Sequence, residues 1–191
     1  MGAIIASTRE PAVGAMGLLW WRDALSSLDD PEAAVPPEPL LTAIAATLPG
    51  SGLTGHALAE LEAGWAALLE AETPGPQEIA GHAEERGGPL FALSGALLGA
   101  VPPDLGRAGE GWSLADLGHR LSDIDARRFA RQEARRRLSG IDVGDWPKPL
   151  RPLGLLTILA RADAALPPDR QRQQGAPKRL FRALAYRLIG R

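Results

Sequence analysis

Residues 9–25, REPAVGAMGLLWWRDAL, carry the most complete helix signal of this chain. Ser7 and Glu10 have the S-x-x-E spacing of a capping box, and Pro11 stands in the first turn, where its missing N–H costs nothing. Apolar residues then recur at helical spacing along two adjoining lines. These lines are Val13-Met16-Trp20 and Leu18-Trp21-Leu25-Leu28. The segment therefore predicts a helix that packs through a broad apolar side, with an Arg-Asp pair at its edge.

The composition favours helices over sheets. Of the 191 residues 45% are hydrophobic but only 5% are aromatic, and Ala and Leu dominate. The chain has 22 Gly and 17 Pro, and they fall mainly between the periodic segments, where they end helices. We therefore expect one all-α domain over residues 1–191, a bundle of about seven or eight helices.

Several classes of protein are disfavoured. Without cysteine the chain has no disulfide framework, no thiolate nucleophile and no Cys-based metal site. The N-terminus lacks the basic and apolar regions of a secretory signal. The apolar run 89–101 is short of the roughly 18 to 20 residues that a membrane span needs. We expect a soluble, cytoplasmic protein.

Charge is distributed unevenly along the chain. Residues 1–100 hold 13 acidic and 3 basic residues, whereas residues 101–191 hold 10 acidic and 18 basic residues. The two halves either attract one another within a single fold or present a basic face to an anionic partner. The second interpretation includes peripheral membrane contact through the basic C-terminal half. Nucleic acid is disfavoured, because the net charge is −2 and only Phe129 interleaves with the arginines.

Helical periodicity and breakers divide the remaining chain. A second capping box, Ser113 and Asp116, is predicted to precede a long helix that kinks near Asp125. The Gly50-Ser51-Gly52 and Gly87-Gly88-Pro89 triplets predict a turn and a helix break. After the first helix, the predicted helices are 40–48, 54–72, 77–86, 90–98, 114–138, 153–166 and 178–189.

Three sequence blocks carry a family resemblance. They are the Trp-Trp helix with WWRDAL at 20–25, the pair LAELEAGW at 58–65 and HAEERGG at 82–88, and LRPLGLLTILARA at 150–162, which Asp163 follows. In this order they resemble the squalene/phytoene synthase family, in particular the branch related to mitochondrial complex I assembly factors. The resemblance implies an isoprenoid synthase fold that lacks its first helices, since the Trp-Trp helix begins close to the chain start.

The resemblance also implies residues that line an isoprenoid cavity. In such folds a Gly-Gly pair lets a helix break and leaves room for an isoprenoid tail. A plain helix break before Pro89 is the alternative interpretation. The cavity-lining candidates are Trp20, Trp21, Gly87, Gly88 and Phe91.

Enzymes of this family hold Mg²⁺ on two aspartate-rich motifs that grip an allylic diphosphate. Residues 1–8 contain no acid where the first motif is expected. In the second motif, Asp123 takes the position of one expected aspartate. Its partner four residues on is Arg127, whose positive charge would repel the metal. If activity remained, Asp116, Arg120 and Asp123 would be the diphosphate and Mg²⁺ candidates. We assign no catalytic residue, no metal site and no other cofactor.

The histidines and an arginine ridge are further candidates for binding roles. His56, His82 and His119 show no ligand spacing, which favours surface or core roles. Arg127, Arg131 and Arg135 share an i, i+4 ridge. The ridge is either a solvated acid–base ladder or a grip for a diphosphate, an anionic lipid or an acidic partner.

Three functions fit these observations. The favoured one is a non-catalytic squalene/phytoene synthase-like protein that binds a protein partner or an isoprenoid or other lipid, for instance in respiratory-complex assembly. The second is an isoprenoid transferase with a truncated or degenerate metal site that uses Mg²⁺. The third is an unrelated helical adaptor. The sequence leaves the oligomeric state open.

Overall fold

The chain folds into helices joined by turns and loops. This computed structural model describes residue 1, residues 10–69 and residues 73–189, which form eight helical segments and no β-strand. The segments are α1 (Pro11–Ser26), α2 (Pro39–Thr47), α3 (residues 55–69), α4 (residues 76–97), α5 (Leu105–Leu117), α6 (Ile124–Leu138), α7 (Arg151–Ala164) and α8 (Pro177–Ile189). The predicted all-α fold is confirmed.

Two of the segments are interrupted. In α3 a 3₁₀ turn, Glu60–Glu62, separates the helices Gly55–Ala59 and Ala63–Leu69. In α4 a π-helical turn, Ala83–Gly87, joins Pro76–His82 to Gly88–Leu97. The predicted break at the Gly-Gly pair is therefore a widened turn, after which the helix continues.

Helix α1 buries one of its two apolar lines. Leu18 and Leu25 are buried, whereas Val13, Met16 and Trp20 are exposed. The prediction that both lines pack is therefore wrong for the line Val13-Met16-Trp20, as judged from the described residues. Ser7 of the predicted capping box lies outside the described residues.

The predicted helix 114–138 is in fact two helices. α5 ends at Leu117 and α6 begins at Ile124, because Asp123 caps α6 by accepting the backbone N–H groups of Asp125 (3.0 Å) and Ala126 (2.8 Å). Ser113 is no cap, since it is fully buried within α5. Residues 105–113 belong to α5 although no helix is predicted there, because glycines and charged residues interrupt the apolar pattern.

Helix α5 lies at the centre of the main core and packs against α4, α6 and α7. Its crossing with α4 is very close: a Cβ built on Gly109 would lie 2.2 Å from the carbonyl oxygen of Gly87. A second, smaller core joins α1, α2 and α3 around Leu25 and Leu41. Within the described residues, no helix combines the length and apolarity that crossing a bilayer requires.

Candidate functional site

Two aspartates on neighbouring helices form the centre of a polar cluster. Asp116 lies in the last turn of α5 and Asp163 in the last turn of α7. Arg172, from the loop between α7 and α8, bridges them: it donates to Asp116 and lies 3.6 Å from Asp163 Oδ2. Arg120 Nε donates to Asp116 Oδ2 (2.7 Å), and Arg179 of α8 donates to Asp163. These five residues, called here the aspartate–arginine cluster, tie α5, α7, the loop and α8 together.

Three guanidinium groups surround two carboxylates in this cluster. Burial alone would raise the pKa of Asp116, but the hydrogen bonds from Arg120 and Arg172 outweigh it, so that the pKa lies below its ordinary value. The side chain of Asp163 is only 7% exposed and has two arginine partners. Asp163 is therefore buried and Asp116 half-buried, and each of them pairs with two arginines.

Little space remains inside the cluster. A cavity of about 20 Å³ lies between Asp116, Asp163, Arg172, Arg179 and Trp112. That volume suits a single water molecule and is far too small for a diphosphate. A wider groove of about 990 Å³ opens beside it, along the α7–α8 loop and the first turns of α8. Its basic lining residues are Arg170, Arg172, Lys178, Arg179 and Arg182.

Arg131 is the buried cation next to this cluster. It is fully buried and donates to the carbonyl oxygens of Gly118 (3.2 Å), Leu166 (3.3 Å), Pro167 and Arg170 (3.0 Å). Gly118 directly follows α5 and Leu166 is the second residue after α7, so both lie at helix C-terminal ends, where the helix dipoles are negative. Burial lowers the pKa of Arg131, yet an arginine keeps its charge. Carbonyl dipoles therefore compensate this cation.

His119 completes the contacts of Arg131. Its Nδ1 accepts from Arg131 Nη2 (2.8 Å) and from the backbone N–H of Arg172 (3.3 Å). Gln171 Oε1 also lies 3.4 Å from Nδ1, but the shorter contact from Arg131 and the backbone N–H of Arg172 both need an acceptor there. The proton of the neutral ring is then on Nε2, which is buried without a hydrogen-bond partner among the described residues. Burial, then the positive charges of Arg131 and Arg172, lower the pKa of His119. His119 is therefore a neutral acceptor that holds the loop.

A tryptophan cage lies one turn before Asp116. The guanidinium carbon of Arg86 is 4.4 Å from the ring centre of Trp65 and 5.2 Å from that of Trp112. Arg86 Nη1 also donates to Ser113 Oγ (3.2 Å). Cation–π contacts thus hold a largely buried arginine between α3, α4 and α5.

His82 borders the cage. Its Nδ1 donates to the carbonyl oxygen of Gly64 (2.6 Å), and its ring meets Trp65 at a centroid distance of 4.7 Å. Burial lowers the pKa of His82 to about 4. His82 is therefore neutral at pH 7 and structural, as the sequence suggested for core histidines.

Of the diphosphate and Mg²⁺ candidates, the structure brings Asp116 and Arg120 together but leaves Asp123 apart. Asp123 caps α6, while both oxygens of Asp116 bind arginines. No group of three or more His, Cys, Asp or Glu side chains in the described part of the chain is arranged to hold a metal ion. With both of its oxygens bound to arginines, Asp116 offers no free carboxylate oxygen to a metal ion.

The cavity-lining candidates lie in different environments. Trp20 is exposed on α1 and meets Trp21 edge-on at 5.3 Å. Phe91 is buried and packs against Trp112 at 5.6 Å. At Gly87 the neighbouring helix α5 fills the space, since a Cβ there would lie 2.6 Å from Gly109 O, whereas a Cβ on Gly88 would make ordinary contacts of 3.4 Å with Glu110. Gly87 therefore serves close helix packing.

The arginine ridge Arg127-Arg131-Arg135 does not form one exposed row of charges. Arg131 is buried, and Arg127 donates to the carbonyl oxygens of Leu121, Ser122 and Pro168, so that only Arg135 is exposed. Ordinary ion pairs occur elsewhere on α6, for example between Arg136 and Glu133. The ridge is mainly a clamp on loop backbone.

No sequence pattern marked Arg172 and Arg179 of the aspartate–arginine cluster, or Arg86 of the tryptophan cage. Arg172 and Arg179 lie in and after a polar loop without periodicity. The one available signal was Asp163 in the third sequence block, the single acid of its predicted helix.

Comparison with known proteins gives no match to a family model, to a curated protein or to a solved structure.

Proposed function

We propose that this protein is a non-catalytic, squalene/phytoene synthase-like helical protein that acts by binding a partner. One observation carries the proposal: both carboxylate oxygens of Asp116, one of the two acids that are Mg²⁺ candidates, bind arginines. A catalytic Mg²⁺ would need those oxygens itself. The family assignment is supported by the three sequence blocks.

The neighbouring residues support the same conclusion. Asp123 Oδ1 accepts two backbone N–H groups of α6, so metal binding would sacrifice the helix cap. Arg127 stands where a further acid is expected and is anchored by three carbonyl oxygens. The positive charge of Arg127, held at this position, would repel a Mg²⁺ ion.

The partner in this proposal is a protein or an isoprenoid or other lipid. The resemblance supports a role in assembling a respiratory complex, and the basic C-terminal half supports contact with the surface of a membrane. In this proposal the protein is cytoplasmic. A role as an isoprenoid transferase would instead require the aspartate–arginine cluster to open.

The test is incubation with farnesyl or geranylgeranyl diphosphate and Mg²⁺, with diphosphate release as the readout. We expect release at the rate of the protein-free blank. The double variant Arg120→Gln/Arg172→Gln, which frees Asp116, should also remain at that rate. Release at an enzyme-like rate that Asp116→Asn abolishes would contradict the proposal and favour the transferase.

A further inference from the structure

Helix α8 has the composition of an interfacial helix. Its sequence, PKRLFRALAYRLI, contains four basic residues and no acid. Four large apolar side chains point to solvent: Leu180 (55% exposed), Phe181 (74%), Leu184 (57%) and Leu188 (82%). Successive leucines are four residues apart, so they follow one line along the helix.

Two contacts hold the opposite side of α8 against the protein. Arg179 pairs with the buried Asp163 of α7. Tyr186 is buried against α7, where a Cβ on Gly154 would lie 2.0 Å from the tyrosine hydroxyl oxygen. Arg179 and Tyr186 are seven residues apart, which places them on the same side of a helix. The fold therefore turns the apolar line of α8 outwards and holds it there.

Exposed cations flank the apolar line on both sides. At 100° per residue, Arg187 falls beside Leu180 and Leu184, whereas Lys178 and Arg182 fall on the other side, beyond Phe181. Lys178 and Arg182 also line the wide groove of about 990 Å³ along the α7–α8 loop, so the positive charge on their side of α8 continues into that groove. The arrangement places an apolar strip between one exposed arginine on one side and two exposed basic residues on the other.

We propose that α8 binds the surface of an anionic membrane, with the line Leu180-Phe181-Leu184-Leu188 in the acyl-chain boundary and Lys178, Arg182 and Arg187 at the lipid headgroups. An apolar face between basic flanks is the arrangement by which helices lie in a lipid interface. Anionic headgroups supply the charge that the helix lacks. The inference rests on the proposed binding function and names its partner.

Charge also argues against a second copy of this chain as the occupant. Pairing two α8 helices through their apolar lines would bring their basic flanks together with no acid in either helix to compensate. Like charges across an interface oppose association. A membrane that contains anionic lipids has no such conflict.

Flotation of the full chain with lipid vesicles tests the inference. One set contains phosphatidylcholine with phosphatidylserine, and the other contains phosphatidylcholine alone. The test variant is Phe181→Ser/Leu184→Ser, and the matched control is Leu40→Ser on α2, whose side chain is as exposed (56%) as Leu184. Circular dichroism checks that each protein remains helical.

We expect the wild-type chain and Leu40→Ser to float with the anionic vesicles and to bind neutral ones more weakly. Phe181→Ser/Leu184→Ser should lose at least about tenfold in vesicle affinity, since one buried apolar side chain accounts for a factor of that size. Added salt should weaken binding. Absence of flotation, or an equal loss in Leu40→Ser, would overturn the inference.

Two further outcomes are informative. Dimerisation that the double variant abolishes, without vesicle binding, would overturn the inference in favour of a second copy. Capture by an acidic protein without vesicle binding would overturn it in favour of a protein partner. Because diphosphate release is a separate readout, a membrane-bound enzyme would contradict the proposed function and leave this inference standing.

Discussion

Arg131 Nη2 donates a hydrogen bond to His119 Nδ1 across 2.8 Å. The contact sets the tautomer of the histidine, because an Nδ1 that accepts leaves the proton on Nε2. The same arginine binds carbonyl oxygens at the ends of α5 and α7 and in the following loop. One side chain of α6 thereby holds the loop that carries Arg172 into the aspartate–arginine cluster.

Replacing Arg131 should destabilise the whole fold. Arg131→Met keeps much of the side-chain length but leaves several buried carbonyl oxygens and His119 Nδ1 without their donor, at a cost of about 3 kcal/mol or more. Urea unfolding followed by circular dichroism measures the change. Arg135→Met, one turn on and exposed, is the matched control and should change the free energy of unfolding by less than about 0.5 kcal/mol. Equal effects would show that the carbonyl contacts of Arg131 contribute little.

Stability should fall in mild acid because of His82. The unfolded chain protonates this histidine near its ordinary pKa of 6.5, whereas the folded chain does so only at about 4. Between these values the unfolded state binds more protons, so the free energy of unfolding falls as the pH falls through this window. The loss is about 2 kcal/mol between pH 7 and pH 5. His119, whose pKa is also lowered, acts in the same direction.

The matching variants are His82→Gln and His56→Gln, since His56 lies exposed beside Glu60. Urea unfolding at pH 7 and pH 5 should show a smaller loss in His82→Gln than in the wild-type chain. His56→Gln should keep the wild-type loss. An unchanged difference in His82→Gln would mean that this histidine does not cause the acid sensitivity.

The crossing of α4 and α5 should depend on one glycine. A Cβ at Gly109 would lie 2.2 Å from Gly87 O and 2.7 Å from Phe91 Cβ, so Gly109→Ala must push the helices apart, at a cost of about 2 kcal/mol or more. Gly106→Ala, on the same helix, meets nothing within 4 Å. It should stabilise the chain by up to about 1 kcal/mol through helix propensity. Thermal unfolding would show opposite shifts in Tm, and shifts of the same sign would contradict the close crossing.

Docking of α8 should depend on the pair between Arg179 and Asp163. Arg179→Gln removes a charge-assisted hydrogen bond to a buried carboxylate, and such a bond contributes about 1.5–3 kcal/mol. Amide hydrogen exchange in residues 177–189 should therefore become at least about tenfold faster, while α5 and α6 keep their protection. Arg182→Gln, which changes an exposed arginine of the same helix, should leave exchange almost unchanged. Equal acceleration in both variants would contradict the role of the pair.

The candidate site could be predicted only in part. Asp116 and Arg120 are four residues apart, and i, i+4 spacing brings such side chains together in a helix. Asp123 is seven residues, or two helical turns, after Asp116 and would lie on the same side of one continuous helix. The helix ends at Leu117, however, and Asp123 caps the start of α6 instead. Arg172 and Arg179 reach the cluster from residues more than fifty positions beyond Asp116, and local patterns carry no information about such pairings.

Helical periodicity, composition and breakers were enough to predict the class of the fold and most helix positions, because apolar spacing and Gly or Pro act within a few residues. The packing of distant segments assigned a role to each charge: Arg131 is a buried clamp, Asp116 a paired carboxylate and Arg86 the centre of a tryptophan cage. It also decided that the apolar line of α8 faces outwards, since Asp163 and Gly154 on α7 hold the other side. An amphipathic pattern shows that a helix has two faces, but only packing against distant residues decides which of them is buried.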